Sequence, residues 1–149
     1  MLEKGIKAGI INGSGDMSTW GKQPNGEDWK IGITNPFKPE KLLAVVPLNQ
    51  GAVTTSGSYE KFVVFNGKRY SHIINPATGY PVTGLCSVTI FGPNAETANG
   101  LSTSLMVLGQ KDGLLLLQKF PEYSCLMITD NGKVIKSKNF NIKHFKAKL

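Results

Sequence analysis

Apolar residues along this chain fall mostly in short runs broken by Gly, Pro and Asn-Gly pairs, the pattern of strands joined by tight turns. Strands are expected over residues 8–12, 29–34, 42–48, 52–55, 62–65, 68–74, 85–91, 125–128 and 134–137. Asn66-Gly67 supplies the positive φ values of a type I′ turn, so residues 62–74 read as a β-hairpin, and Asp130-Asn131-Gly132 closes another. The period changes after Ala95. Ala98, Leu101, Leu105 and Leu108 recur at helical spacing, Gly109 supplies a stop, and Asp112 is placed to cap a second helix running to Phe120. Met1 to Lys4 followed by Gly5 reads as the last turn of a helix begun in preceding sequence, so the chain is expected to start in mid-fold. Strands first and paired helices late give the fold class: α+β, a mostly antiparallel sheet with helices packed on one face.

At 149 residues the chain suits one domain, which buries roughly two thirds of its unfolded surface. Its 40% hydrophobic and 18% charged content are those of a globular protein. No run approaches the roughly 18 apolar residues of a membrane helix, and the first residues lack the basic-then-apolar pattern of a secretory signal. The formal charge of +7 is unevenly spread: residues 133–149 hold six lysines and no acid. The preceding residues then carry 17 − 6 basic against 10 acidic groups, a net of +1. The charge is therefore expected in a solvated, poorly ordered end, with a folded unit over residues 1–140, a basic tail over 141–149 and no nucleic-acid partner. Attraction of that tail to phosphate or lipid is the alternative. Cys86 and Cys125 lie in apolar runs without metal-ligand spacing and are expected as buried thiols.

Candidate chemistry gathers around residues 67–81. With a period of two, Tyr70, His72 and Ile74 share one strand face. His72 there is either a hydrogen-bonded structural residue or, held beside the rigid Asn75-Pro76 turn, a proton acceptor near neutral pH. Thr55, Ser56 and Gly57 form a small polar turn that suits a phosphate or flavin edge, or merely caps itself. Asn99 and Thr103, at i and i+4 of the expected helix, project oxygens from one face. They are ordinary helix polar residues or part of a ligand set for a hard cation such as Mg²⁺. The glycines of Gly13-Ser14-Gly15-Asp16 allow close backbone approach to a ligand. The sequence contains no zinc constellation, P-loop or complete GxGxxG motif.

Four ordered motifs carry a resemblance. They are Asn12-Gly13-Ser14-Gly15-Asp16, the Thr-Ser-Gly-x-Tyr of Thr55 to Tyr59, Tyr70-Ser-His-Ile-Ile-Asn-Pro-Ala-Thr-Gly79, and Ala98-Asn-Gly-Leu-Ser-Thr-Ser-Leu-Met-Val-Leu-Gly109. Together, over residues 1–140, they resemble the ApbE family, flavin transferases that move FMN from FAD onto a threonine of an acceptor protein. The resemblance implies His72 as catalytic, Gly15, Asp16, Thr55, Ser56, Gly57, His72 and Ile73 against FAD, Asn99 and Thr103 against Mg²⁺, and AMP as the released product. Asn75 and Asn99 stand where the family commonly has Asp. The family's first half, with a Gly-rich, lysine-bearing stretch, has no counterpart here. A C-terminal portion of the family fold is therefore expected, with an exposed sheet edge that favours self-association. Members are commonly periplasmic or membrane-anchored lipoproteins. A non-catalytic relative that binds flavin or is merely a structural remnant is the alternative that Asn99 and the missing half suggest.

Overall fold

The computed structural model describes residues 1–141. A single 3-10 turn at Leu2–Lys4 ends in Gly5, which takes the left-handed conformation at φ 79°. The strands that follow are β1 (Gly9–Gly13), β2 (Asp16–Trp20), β3 (Trp29–Asn35), β4 (Lys38–Leu48), β5 (Gly51–Gly57), β6 (Phe62–Phe65), β7 (Lys68–Ser71) and β8 (Leu85–Gly92). Helix α1 (Ala95–Leu117) comes next, and β9 (Ser124–Thr129) and β10 (Val134–Lys136) complete the described fold. Six strands form one antiparallel sheet in the order β1-β2-β5-β8-β9-β10, while β3–β4 and β6–β7 stand apart as hairpins. The expected class, α+β with a mostly antiparallel sheet, is the observed one.

Both faces of the sheet are covered, which explains why β8 is buried almost without a break, its Ser87 and Thr89 included, and why Cys125 to Ile128 of β9 form a continuous apolar run. Val88, Ile90, Cys125 and Met127 pack with Ala98, Leu101, Leu105 and Met106 of α1. Phe91, Leu126 and Ile128 pack with Ile31, Ile33, Leu43 and Val46 of the β3–β4 hairpin. Each fully buried aliphatic side chain in these clusters contributes about 1.5–3 kcal/mol. Cys86 and Cys125 are buried as expected, and burial pushes the Cys125 thiol up to about 11, against a smaller lowering by Ser137.

The two expected helices are both present within α1: Gly109, whose φ of 75° and ψ of −176° are non-helical, stops the first, and the second follows across a kink. Asp112 lies shortly beyond that break. Asn94 is the N-cap, its Oδ1 accepting from the Thr97 amide at 2.9 Å. A Cβ built at Gly113 would lie 3.1 Å from Leu105 Cγ. Eight residues of straight helix span about 12 Å, so the contact exists only because the chain turns back.

One expectation is corrected: the strand expected over 68–74 ends at Ser71, and His72 lies just beyond it. The strand expected over 134–137 is present as β10, so the fold extends into the lysine-rich stretch. Ile135 is buried, Ser137 Oγ accepts from the Cys125 amide at 3.0 Å, and Phe140 packs edge-on to Phe91 at 5.6 Å. The tail expected over 141–149 lies, from residue 142 onward, outside the described residues. Among the described residues, no helix is long and apolar enough to cross a membrane.

Candidate functional site

Three segments far apart in sequence meet at one end of the sheet. The first is the β1–β2 turn, where Ser14 (φ 55°) and Gly15 (φ 102°) reverse the chain and Asn12 Oδ1 accepts from the Gly15 amide at 2.8 Å. This turn delivers Asp16. The second is the end of β5, Thr55 to Gly57, with α1 lying across β5 and β8. Thr55 Oγ1 and Thr89 Oγ1 are 2.9 Å apart, so that hydroxyl is engaged within the sheet. A Cβ at Gly57 would come within the space of the Tyr59 ring, 2.4 Å from Cε1, so only glycine lets that ring fold back over the strand end. Burial, then the nearby Glu60 carboxylate, push the Tyr59 hydroxyl up to about 12.

The third segment is the histidine corner. His72 continues the ladder beyond β7, its amide donating to the Lys61 carbonyl at 3.2 Å, and its Nδ1 lies 2.8 Å from the same oxygen. A carbonyl only accepts, so Nδ1 carries a proton, and in the neutral ring Nε2 is the nitrogen with the lone pair. The turn behind it is rigid. Asn75 Oδ1 accepts from the Ala77 amide at 2.9 Å, the Asn75 carbonyl accepts from Gly79 at 2.8 Å, and Val82 donates to the Ile73 carbonyl at 3.0 Å. Asn75 thus performs the turn-closing task of an Asp, for which one side-chain oxygen suffices.

These segments enclose a cleft of about 480 Å³ lined by Asp16, Thr55, Ser56, Gly57, His72, Ile73, Asn99 and Thr103, with Ser14, Glu60, Ile74 and Val107. Every residue singled out for FAD, Mg²⁺ or catalysis lines it except Gly15, which shapes the β1–β2 turn. Glu60 and the buried Ser102 were not singled out. Ser102 had a legible signal, because it falls on the same helical stripe as Ala98, Leu101 and Leu105, where a hydroxyl needs a partner.

The direction of the hydrogen bonds decides what the cleft offers. Ser102 Oγ donates to the Asn99 carbonyl at 2.9 Å, so its proton is spent. Ser56 Oγ, 2.7 Å away, must then donate to Ser102, and Thr103 Oγ1, 3.0 Å from Ser56, must donate to Ser56. Thr103 therefore turns its proton inward and leaves lone pairs for the cleft. Asn99 Nδ2 likewise donates to Asp16 Oδ2 at 2.7 Å, which leaves the side-chain oxygen Oδ1 of Asn99 available. Among the described residues there is no group of three or more His, Cys, Asp or Glu side chains placed to hold a metal. One carboxylate with neutral oxygens fits Mg²⁺, which keeps waters and shares substrate oxygens, better than a zinc-type ion.

Fold and cleft together define a helix-backed antiparallel α+β domain with a polar, histidine-edged cleft at the sheet end. The chain belongs to the ApbE family, whose profile matches residues 1–127. It is 40% identical over 132 residues to the FAD:protein FMN transferase of Haemophilus influenzae, covering 86% of this chain and 38% of that protein. Against the FAD:protein FMN transferase of Escherichia coli K12, identity is 34% over 139 residues, 92% of this chain and 39% of the other. Among solved structures, the ApbE protein of Thermotoga maritima superposes with a TM-score of 0.79 at 36% identity, over 89% of this chain and 43% of that one. The flavin transferase ApbE from Vibrio cholerae gives 0.79 at 32% identity, over 93% and 45%. The chain thus spans about two fifths of the length of the curated relatives it matches.

Proposed function

We propose that this chain takes part in moving FMN from FAD to a threonine hydroxyl of an acceptor protein. The threonine oxygen attacks the FMN-side phosphorus, the bond from that phosphorus to the bridging oxygen breaks, and AMP leaves with that oxygen. The hydroxyl proton passes to Nε2 of His72. The observation that carries the reading is the Nδ1 to Lys61 carbonyl bond of 2.8 Å, which leaves Nε2 as an acceptor at the cleft. Thr55, Ser56 and Gly57, with Gly15, Asp16, His72 and Ile73, form the surroundings of the bound FAD. Asn99 and Thr103 would hold Mg²⁺, which supplies positive charge against phosphate oxygens. Residues 1–140 are the folded unit of this reading, and pairing along the open edge of β1, where Ile10 and Ile11 are exposed, is its route to self-association.

The test is mass spectrometry of a threonine-bearing acceptor peptide incubated with the chain, FAD and Mg²⁺. The expected result is a gain of one FMN, abolished by His72→Ala. Flavin binding without any transfer would overturn this reading in favour of a non-catalytic flavin-binding relative, the role that a neutral Asn99 first suggests.

A further inference from the structure

A metal site normally draws its negative charge from a carboxylate that touches the ion, and the polar groups that α1 brings to the cleft lining, Asn99 and Thr103, are neutral. The nearest carboxylate belongs to the other wall. Asp16 opens β2, 83 residues before Asn99, and its Oδ2 receives the Asn99 Nδ2 proton at 2.7 Å. Three features of this pair bear on a cation. The amide holds the carboxylate beside the helix by one oxygen only, which leaves Asp16 Oδ1 uncommitted to Asn99. It also orients itself, since an amide that donates through nitrogen keeps its oxygen free. Thr103, one turn along the same helix face, has its proton drawn inward by Ser56. All three residues, from two walls, line the cleft, and the hydrogen bonds they already make leave an acceptor oxygen on each. Among the described residues that line the cleft there is no Lys or Arg to neutralise Asp16.

We infer that Asp16 supplies the anionic oxygen of the divalent-cation site, with Asn99 and Thr103 as its neutral oxygens and Asn99 as the group that positions Asp16. The inference rests on the Mg²⁺ reading above and moves Asp16 from the flavin to the metal. It also removes the reason to regard Asn99 as the mark of a lost site. The negative charge has changed walls: it comes from the hairpin turn, and the helix contributes the amide that holds it there. Asp16 is well suited to that task because the turn before it is fixed by the Asn12 to Gly15 hydrogen bond, and the strand after it pairs with β5.

Mn²⁺ titration of the chain, followed by the electron paramagnetic resonance signal of free Mn²⁺, tests this without any turnover. One Mn²⁺ should bind the chain as it stands. Asp16→Asn, close to isosteric, should weaken binding by on the order of tenfold or more, and Asn99→Ala by about tenfold through loss of both an oxygen and the positioning amide. The exchange Asp16→Asn combined with Asn99→Asp restores one carboxylate and one amide in mirrored places and should recover most of the lost affinity. Circular dichroism melts of each variant separate loss of fold from loss of metal. No Mn²⁺ binding at millimolar concentrations, or an unchanged affinity in a folded Asp16→Asn chain, overturns the inference. The peptide assay keeps the two readings apart. Transfer that persists in Asp16→Asn with an unaltered Mg²⁺ requirement sinks the role of Asp16 and leaves the transferase reading standing. Asp16-dependent Mn²⁺ binding without transfer does the opposite.

Discussion

Ser56→Ala probes the hydroxyl chain that sets the polarity of the site. Ser56 Oγ bridges Ser102 Oγ at 2.7 Å and Thr103 Oγ1 at 3.0 Å, tying the end of β5 to α1. Its removal affects the two partners unequally. Ser102 is fully buried and keeps its bond to the Asn99 carbonyl, but its own oxygen loses the only donor it receives. Thr103 is exposed, so water replaces its acceptor at little cost. The expected loss is therefore one net hydrogen bond, about 1 kcal/mol, or roughly a fivefold fall in the folding equilibrium constant. Urea denaturation followed by circular dichroism should show the midpoint lowered by about 0.5 M with an unchanged slope. A cycle with Ser102→Ala should give a coupling near 1 kcal/mol, since each single change breaks the same bond. The site should respond separately: with Ser56 gone, the Thr103 proton is free to turn toward the cleft and oppose a cation, so Mn²⁺ affinity falls although no ligand has been removed. Additive Ser56 and Ser102 effects, or a Ser56→Ala chain with unchanged Mn²⁺ affinity, would refute the deduced proton directions.

Gly109→Ala should destabilise the chain by about 1–3 kcal/mol, because φ 75° with ψ −176° is a region open essentially to glycine and no atom lies near the added Cβ, so the whole cost is backbone strain; urea denaturation measures it. Thr54→Val should raise stability by about 1 kcal/mol in the same assay, since Thr54 is fully buried and its Oγ1 has no hydrogen-bond partner. Tyr59 should be seen in near-ultraviolet absorbance as a tyrosine ionising near 12, a step that Tyr59→Phe removes. Its raised value means that the folded state keeps a proton the unfolded state loses. Stability from this group is thus intact below the ordinary value of 10 and declines as pH climbs toward 12.

What could be read from the sequence was what local chemistry dictates. Asn66-Gly67 had to be a tight turn, and the structure gives φ 49° and 74° there. Gly109 had to interrupt a helix and a second helix was expected after it, although nothing local said that the second would fold Gly113 back against Leu105. β2 escaped notice because Asp16-Met-Ser-Thr-Trp20 alternates weakly; its place comes from pairing with β1 on one side and β5 on the other. Strands β3 and β4 were legible, but not their task of covering the second sheet face, which depends on contacts with Leu126 and Ile128 far along the chain. The site divides in the same way. His72, Thr55 to Gly57, Asn99 and Thr103 stood out by residue type and motif, whereas the Asp16 to Asn99 bond spans 83 residues and has no local signature.

That division bears on how the site is held. None of the three segments has its geometry alone: Asp16 is aimed by the hairpin turn, Thr103 by Ser56 of the sheet, and Nε2 of His72 by a carbonyl eleven residues back. The distance between the oxygen-bearing wall and the histidine is set by how α1 lies on β5 and β8, which the burial of Leu101, Leu105 and Met106 determines. A core substitution beneath Asn99 and Thr103 should therefore act on the site before it unfolds the chain. Buried Leu105→Ala costs about 2–5 kcal/mol in stability, and any shift of α1 that it permits separates Asn99 from Asp16 and Thr103 from Ser56 together. Metal affinity and hydroxyl coupling would then fall in one step, whereas the tautomer of His72, fixed by the Lys61 carbonyl on a different hairpin, would not change.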